Sequence, residues 1–561
     1  MSYCCPIFRP DAYEAQQLST RYSGAALTDG GGESWAGEEA ERICRSGGND
    51  MTHCRKIMIQ GTMSGAGKSL LVTALCRIFH EDGLKVAPFK SQNMALNSYI
   101  TADGLEMGRA QAAQAEACGV LPDVRMNPIL LKPTSDVGSQ LIVNGRVRGT
   151  YRAAEYFRMK KTLIPDIMEA FRSLEAENDV IVIEGAGSPA EINLKSDDIV
   201  NMGLAGMVDA PVILVGDIDP GGVFAQLYGT IMLLNEDERA RVVGTVINKF
   251  RGDAEILRPG LGMLEDLTKV PVLGVVPYAD IDIDDEDSLS PRLAGGSHDR
   301  PIDIAVIRLP RISNFTDITP LTAHPYLGVR YVGRPADLGQ PDLVILPGTK
   351  NTMDDLVWLR EIGLEAGILK YAEAGGTILG ICGGYQMLGE FLSDPEGSDS
   401  GRAGSSMRGI GLLPTATTFG AEKIQRQVSG CVCAGDLAGA FVTGYEIHMG
   451  ETRVPAGTVP FARGHLGSAS TDKTRGDNED PVGTYMDGCV NGSVFGTYIH
   501  GLFDTGELTE KLASYLMRKK GIAADALAVE PRISYKERQY TRLADIVRGS
   551  LDMDAVYRAL R

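Results

Sequence analysis

From Lys56 onward, short β-branched and aliphatic runs alternate with stretches whose apolar positions recur every three to four residues, the pattern of βα units feeding a parallel sheet. It predicts strands at Lys56–Gln60, Lys85–Phe89, Asp179–Ile183, Pro211–Val215, Val242–Ile247 and Val270–Val275. Leu163, Ile164, Ile167, Met168, Phe171 and Leu174 share one helical face, which reads as core packing. The alternation stops at Asp280–Asp287, where six of eight residues are acidic, and restarts at Asp303, so a domain boundary is expected between 290 and 300. Further strands follow at Asp303–Ile307, Val329–Val332, Leu343–Leu346 and Thr377–Ile381. Two polar stretches, Asp394–Arg408 and Gly464–Pro481, read as surface insertions, and the chain from Leu508 on reads as charged packing helices. Residues 1–50 are Gly-, Ser- and Glu-rich without periodicity and read as a disordered extension or a start codon placed too early. The expected fold class is α/β: two domains, residues 51–290 and 300–510, each a mostly parallel sheet flanked by helices, then a helical tail over 511–561.

Composition narrows the classes. At 561 residues, with 43% hydrophobic and 23% charged residues, the chain can fill more than one core. Its net charge of −18 has the wrong sign for a general nucleic-acid binder. Ten cysteines show no paired metal-ligand spacing and fit a reducing cytoplasm. No stretch reaches the length of apolar residues needed to span a membrane, and the start lacks a signal-peptide pattern, so no membrane partner is expected.

Between the first predicted strand and an apolar helical pattern lies Gly61-Thr62-Met63-Ser64-Gly65-Ala66-Gly67-Lys68-Ser69. Backbone N–H groups of such a loop wrap phosphate oxygens, with Lys68 as a point charge and the Ser69 hydroxyl available to Mg²⁺. Gly61, Ser64, Gly65, Gly67, Lys68 and Ser69 are therefore the candidate nucleotide-binding residues. Five residues rather than four separate Gly61 from Gly67, which makes the loop a variant. Asn248-Lys249-Phe250-Arg251 starts like a guanine reader and departs from it, which favours ATP. A strand-end acid should face the phosphates, and Glu184 in Ile183-Glu184-Gly185-Ala186-Gly187 is the Mg²⁺ candidate, with Glu191 a second metal or substrate group.

In the second half, Gly380-Ile381-Cys382-Gly383-Gly384 follows a strand and precedes a helical pattern, matching a nucleophile elbow. Cys382 is the expected nucleophile, with Gly383 and Gly348, in Pro347-Gly348-Thr349-Lys350-Asn351, as candidate oxyanion donors. Of seven histidines, His500 ends a strand-like run and is the expected base. His298 and His465 fall in polar loops, and Glu446 and His448, in an alternating run, could orient the base or touch substrate. Spacing alone locates no third catalytic member.

Cys382 and His500 in this setting resemble the class I, triad-type glutamine amidotransferases, with a flavodoxin-like domain, although Leu502 stands where those enzymes usually carry Glu. The cobyrinic and cobyric acid branch shares that departure. The first half resembles dethiobiotin synthetase and its relatives. With Phe89-Lys90-Ser91-Gln92-Asn93-Met94-Ala95-Leu96-Asn97-Ser98, Glu184 through Glu191 and Tyr498-Ile499-His500-Gly501 in order, residues 51–510 resemble the cobyric acid synthase (CobQ) family. That resemblance implies ATP- and glutamine-dependent amidation of the b, d, e and g carboxylates of adenosylcobyrinic a,c-diamide, with ammonia released at a Cys-His site and carboxylates activated as acyl phosphates. It implies ATP and Mg²⁺ as cofactors, small-molecule partners (corrinoid, glutamine, ATP) and a cytoplasmic location. Lys90, Gln92, Asn93 and Asn97 then either hold the corrin periphery or phosphates, or simply cap a loop. Cobyrinic acid a,c-diamide synthase is the nearest alternative, against which Ser188-Pro189-Ala190-Glu191 argues. A murein-related amidotransferase would differ in substrate, and a P-loop scaffold ATPase would have no use for the elbow. The sequence assigns no oligomeric state.

Overall fold

The computed structural model describes residues 54–134, 138–283, 300–466, 485–522 and 532–560. Residues 1–50, the expected boundary at 290–300 and most of the 464–481 stretch lie outside or at the limit of that set.

The first half runs β1 (Arg55–Gly61), α1 (Lys68–Glu81), β2 (Val86–Phe89), β3 (Gln92–Met94), β4 (Ser98–Ile100), β5 (Glu106–Gly108), α2 (Arg109–Ala117), β6 (Ile129–Pro133), β7 (Gly138–Val143) and β8 (Arg146–Arg152). It continues with α3 (Ala153–Met159), α4 (Ile164–Glu175), β9 (Val180–Glu184), β10 (Val212–Asp217), β11 (Val242–Phe250) and β12 (Val272–Pro277). Six of these strands form a wholly parallel sheet in the order β12-β11-β10-β1-β9-β2. Its central strands are buried throughout, as a sheet covered on both faces requires. The apolar face of α4 packs there as its periodicity predicts, with Ile167, Ala170, Phe171 and Leu174 buried.

The second half runs β13 (Ile302–Ile307), β14 (Leu327–Val332), β15 (Leu343–Leu346), α5 (Thr352–Glu361), β16 (Thr377–Ile381), α6 (Gly383–Leu388), β17 (Phe391–Asp394), β18 (Ser405–Arg408), β19 (Ala416–Val432) and β20 (Phe441–Arg453). It ends with β21 (Ala462–Leu466), β22 (Tyr485–Asp487), β23 (Cys489–Asn491), β24 (Val494–Thr497), α7 (Glu507–Lys520), α8 (Arg532–Arg548) and α9 (Met553–Ala559). Its main sheet, β14-β13-β15-β16-β24-β23, is parallel except at the β23 edge. Both halves are thus mostly parallel α/β sheets, as the alternation predicts.

Three features depart from the sequence reading. Asp394–Arg408 is not a loose insertion: β17 and β18 pair antiparallel, and the buried Asp394 carboxylate gathers the Ser398 and Ser400 N–H groups and the Ser400 hydroxyl. His465 sits in β21 and not in a loop. Of the long hairpin β19/β20 the sequence shows only the alternating run around Glu446 and His448, because elsewhere the alternation is diluted by glycines and by polar residues, some of which meet the first domain rather than water.

The helices after Leu508 do not all stay with the second half. α8 and α9 return to α1, where Leu543, Ala544, Val547 and Val556 join the core formed by Leu71, Leu75, Ile78 and Phe79. Arg77 of α1 pairs with Glu537 at 2.7 Å, and Tyr557 meets the Phe79 ring edge-on at 5.3 Å. Each fully buried Leu or Val side chain there contributes about 1.5–3 kcal/mol, against about 0–1 kcal/mol for an ion pair at a surface.

Candidate active sites

The phosphate loop leaves β1 and enters α1 through Gly67, which has φ +96°; a Cβ there would stand 2.0 Å from the Asn248 side-chain nitrogen. Only glycine fits both demands. Asn248 donates to the Ala66 carbonyl at 2.9 Å, and Lys249 Nζ reaches the Gly65 carbonyl and Asp217 Oδ2, each at 2.7 Å. The pair that resembles a failed guanine reader therefore braces the loop from behind. Gly61 closes β1, and Ser64 and Gly65 are exposed at the loop tip.

Lys68 Nζ spans the Met63 and Gly187 carbonyls, each at 3.1 Å, tying the loop to the turn after β9. Ser69 Oγ donates to Glu184 Oε1 at 2.8 Å. The same carboxylate accepts from Lys90 Nζ at 2.8 Å and from Gln114 Nε2 at 2.5 Å. Glu184 and Ser69 thus offer two hard oxygens side by side at the phosphate loop, a donor set that suits Mg²⁺, which keeps waters and takes few protein ligands. Glu191 is exposed seven residues on, and among the described contacts none joins it to Glu184. No cluster of three or more His, Cys, Asp or Glu side chains among the described residues is placed to hold a metal.

The four polar residues after β2 divide. Lys90 joins Glu184, and Gln92 accepts from the Tyr156 hydroxyl. Asn93 is buried and donates to Gln111 at 2.9 Å, while Asn97 is buried with its carbonyl on the Arg109 N–H. The last two hold the fold and not an open surface.

Cys382 follows β16 at φ +51°, ψ −108°, a strained conformation for a non-glycine residue that the surrounding turn enforces. A Cβ on Gly384 would come within 2.0 Å of the Leu346 carbonyl, so the elbow needs glycine to lie against β15. The thiol is buried, 3.6 Å from the Ile447 carbonyl. Gly383 lies against Thr349, and a Cβ on Gly348 would meet the His500 ring at 3.1 Å, so the Gly348 turn closes over thiol and imidazole together.

His500 Nδ1 is 2.7 Å from Asp317 Oδ2, and the Gly501 N–H donates to Asp317 Oδ1 at 2.9 Å. Burial opposes a charge on His500, but Asp317 and the neighbouring Cys382 overcome it and lift the imidazole to about 10. Asp317 is an acid paired with His500 that sequence spacing gives no sign of. It lies 183 residues before His500, on a turn after β13, and its only sequence signal is its place beyond the carboxyl end of a strand. Leu502, where related amidotransferases carry Glu, is instead fully buried in the core.

A small cavity is lined by Cys382, His500, Gln386, Lys350 and His448 and, from the first half of the chain, by Lys132. Burial pushes His448 down to about 4, and its ring stacks on Tyr498 at 3.7 Å. Glu446 does not line this cavity: it is committed to Arg426 and to the Tyr485 hydroxyl. Burial also pushes Lys350 down to about 7.

Lys132 and Lys423 come from different halves and meet on one fully buried carboxylate, Glu106. Burial opposes that charge, yet the two ammonium groups hold the carboxyl well below its usual range. Next to this knot, the Tyr445 hydroxyl donates to the Ser98 carbonyl at 2.8 Å and the Ser98 N–H to Asn314 Oδ1 at 3.0 Å. The thiol site is therefore walled by the phosphate-loop domain. A cavity of about 500 Å³ near Lys85, at the opposite end of the first sheet, holds neither group of residues.

Residues 57–290 match the CobQ/CobB/MinD/ParA nucleotide binding domain, and residues 303–508 match the CobB/CobQ-like glutamine amidotransferase domain. The chain is 55% identical over 515 residues to a cobyric acid synthase of Lachnoclostridium phytofermentans, covering 90% of this chain and 99% of that one. It is 49% identical over 514 residues to the cobyric acid synthase of Listeria monocytogenes, covering 90% and 97%. The chain belongs to the cobyric acid synthase family. As a family member it is an ATP-dependent, glutamine-hydrolysing amidoligase, with a P-loop nucleotide-binding domain followed by an amidotransferase domain. No helix among the described residues is long and apolar enough to cross a membrane.

Proposed function

We propose that this chain makes cobyric acid, amidating the b, d, e and g carboxylates of adenosylcobyrinic a,c-diamide with ammonia from glutamine, in the cytoplasm. The observation that carries the reading is similarity to cobyric acid synthases over 90% of the chain, together with a thiol cavity walled by Lys132 of the phosphate-loop domain. Ammonia released at Cys382 then starts its path against the domain that activates the acceptor.

In the amidotransferase half, Cys382 attacks the glutamine carboxamide while His500, held by Asp317, takes the thiol proton and hands it to the departing ammonia. Gly383 and Gly348 N–H groups receive the oxyanion. In the first half, the loop Gly61–Ser69 would cradle ATP, and Ser69 and Glu184 would hold a Mg²⁺ that supplies neutralising charge for the phosphates. Hydroxide is a poor leaving group, so the acceptor carboxylate is activated as an acyl phosphate before ammonia displaces phosphate. Lys68 stabilises charge on the transferred group. Incubation with ATP, Mg²⁺, glutamine and the a,c-diamide should give a product four amidations further on by mass spectrometry; an unchanged corrinoid mass overturns the proposal.

Asp317→Asn is expected to lower glutamine hydrolysis by roughly 10²-fold or more while ammonia-supported amidation persists. The sign of its pH effect follows from the raised His500 value. Imidazolium is present below that value and lost as pH rises through it, so the wild-type pair survives to about pH 10. Without Asp317, burial prevails and the charge is lost at lower pH. The alkaline limb of the glutaminase kcat/KM profile should therefore move to lower pH, and an unmoved limb would remove Asp317 from its role.

A further inference from the structure

Residues 146–161 carry Arg146, Arg148, Arg152, Arg158, Lys160 and Lys161 against one carboxylate, Glu155, in a chain of net charge −18. They occupy β8, α3 and the turn that follows. β8 is the free edge of the sheet β3-β6-β7-β8, with Arg146, Val147 and Arg148 exposed, and α3 buries none of its residues. Cations commonly guard an edge strand against pairing with another chain. That accounts for β8 but not for Arg158, Lys160 and Lys161, which lie beyond it.

The position of this basic face relates it to the phosphate loop. Tyr156 of α3 donates its hydroxyl to Gln92, two residues past Lys90, whose ammonium pairs with Glu184. Lys161 pairs with Asp197 at 2.8 Å, on the segment that follows Glu191. The face is thus continuous with the chain leaving β2 and β9 at their carboxyl ends, where ligands of open α/β sheets lie. It is also aromatic: Phe157 is 37% exposed, with Lys160 Nζ 4.3 Å above its ring.

We infer that β8 and α3 form the docking face for a macrocycle bearing several peripheral carboxylates, an inference that rests on the function proposed above. Such a substrate has a broad apolar body and a rim of anions, and it meets here the exposed Phe157 ring among long cations, of which Arg148 also pairs with Asp166 at 3.6 Å. Exposed arginines, unlike a rigid pocket, can hold the rim in several orientations. An enzyme that amidates four carboxylates in turn needs that freedom.

The test is the full chain with Arg146→Glu, Arg148→Glu and Arg158→Glu, none of which belongs to either catalytic group. The KM for cobyrinic a,c-diamide, and its Kd by equilibrium dialysis without ATP, should rise roughly ten-fold or more, and the rise should shrink with added salt. KM values for ATP and glutamine and corrinoid-free glutamine hydrolysis should stay at wild-type levels. The triple lysine variant should keep the wild-type corrinoid KM. An unchanged corrinoid KM and Kd in the glutamate variant, with an active wild type, overturns the docking face alone, as does an equal rise in the KM values of all three substrates. A wild type that neither binds nor amidates the corrinoid overturns the proposed function, and the docking face with it.

Discussion

Cys382→Ser should abolish glutamine-supported amidation, by roughly 10³-fold or more, and leave the ammonia-supported reaction near its wild-type rate. The substitution changes one atom in a buried site, so it perturbs nucleophilicity far more than packing. A serine hydroxyl in the place of the thiol beside His500 has no comparable anionic form near neutral pH. Free ammonia does not need the thiol. The two reactions, followed side by side as corrinoid amidation with each nitrogen donor, should separate completely. Equal loss with both donors would mean that Cys382 supports the fold or the synthetase site and would end the two-site scheme.

Lys68→Ala should remove amidation with either donor, by roughly 10³-fold or more, because the charge on the transferred phosphoryl group loses its partner. Lys68 also links the Met63 and Gly187 carbonyls, so some loss of local order accompanies the loss of charge. Lys68→Arg separates these causes: it restores a cation but not the compact ammonium geometry, and should recover stability with little of the rate. Thermal melts and ammonia-supported turnover of both variants give the measurement. Retained turnover in Lys68→Ala would place phosphoryl transfer elsewhere.

Local sequence carried more of the first site than of the second. Gly61–Ser69 could be read because a phosphate loop is contiguous and sits between its own strand and helix, and Glu184 because a buried strand announces its end. Cys382 could be read for the same reason. Glu446 misled, since strand alternation places it beside His448 but says nothing of Arg426 and Tyr485, which claim it. Leu502 removes the acid expected two residues after His500, and nothing near it in the sequence points to Asp317.

The two mostly parallel α/β sheets, the glycine-rich turn after β1 and the glycine-flanked turn at Cys382 were legible before folding, because each rests on periodicity or on residues adjacent in the chain. Folding is what brings Asp317 to His500, joins Glu106 to Lys132 and Lys423 across the halves, and returns α8 and α9 to α1. Those contacts join residues tens to hundreds of positions apart. Hydrogen bonds and ion pairs depend on where side chains end in space, and no local pattern encodes a meeting that only the packing of whole domains brings about.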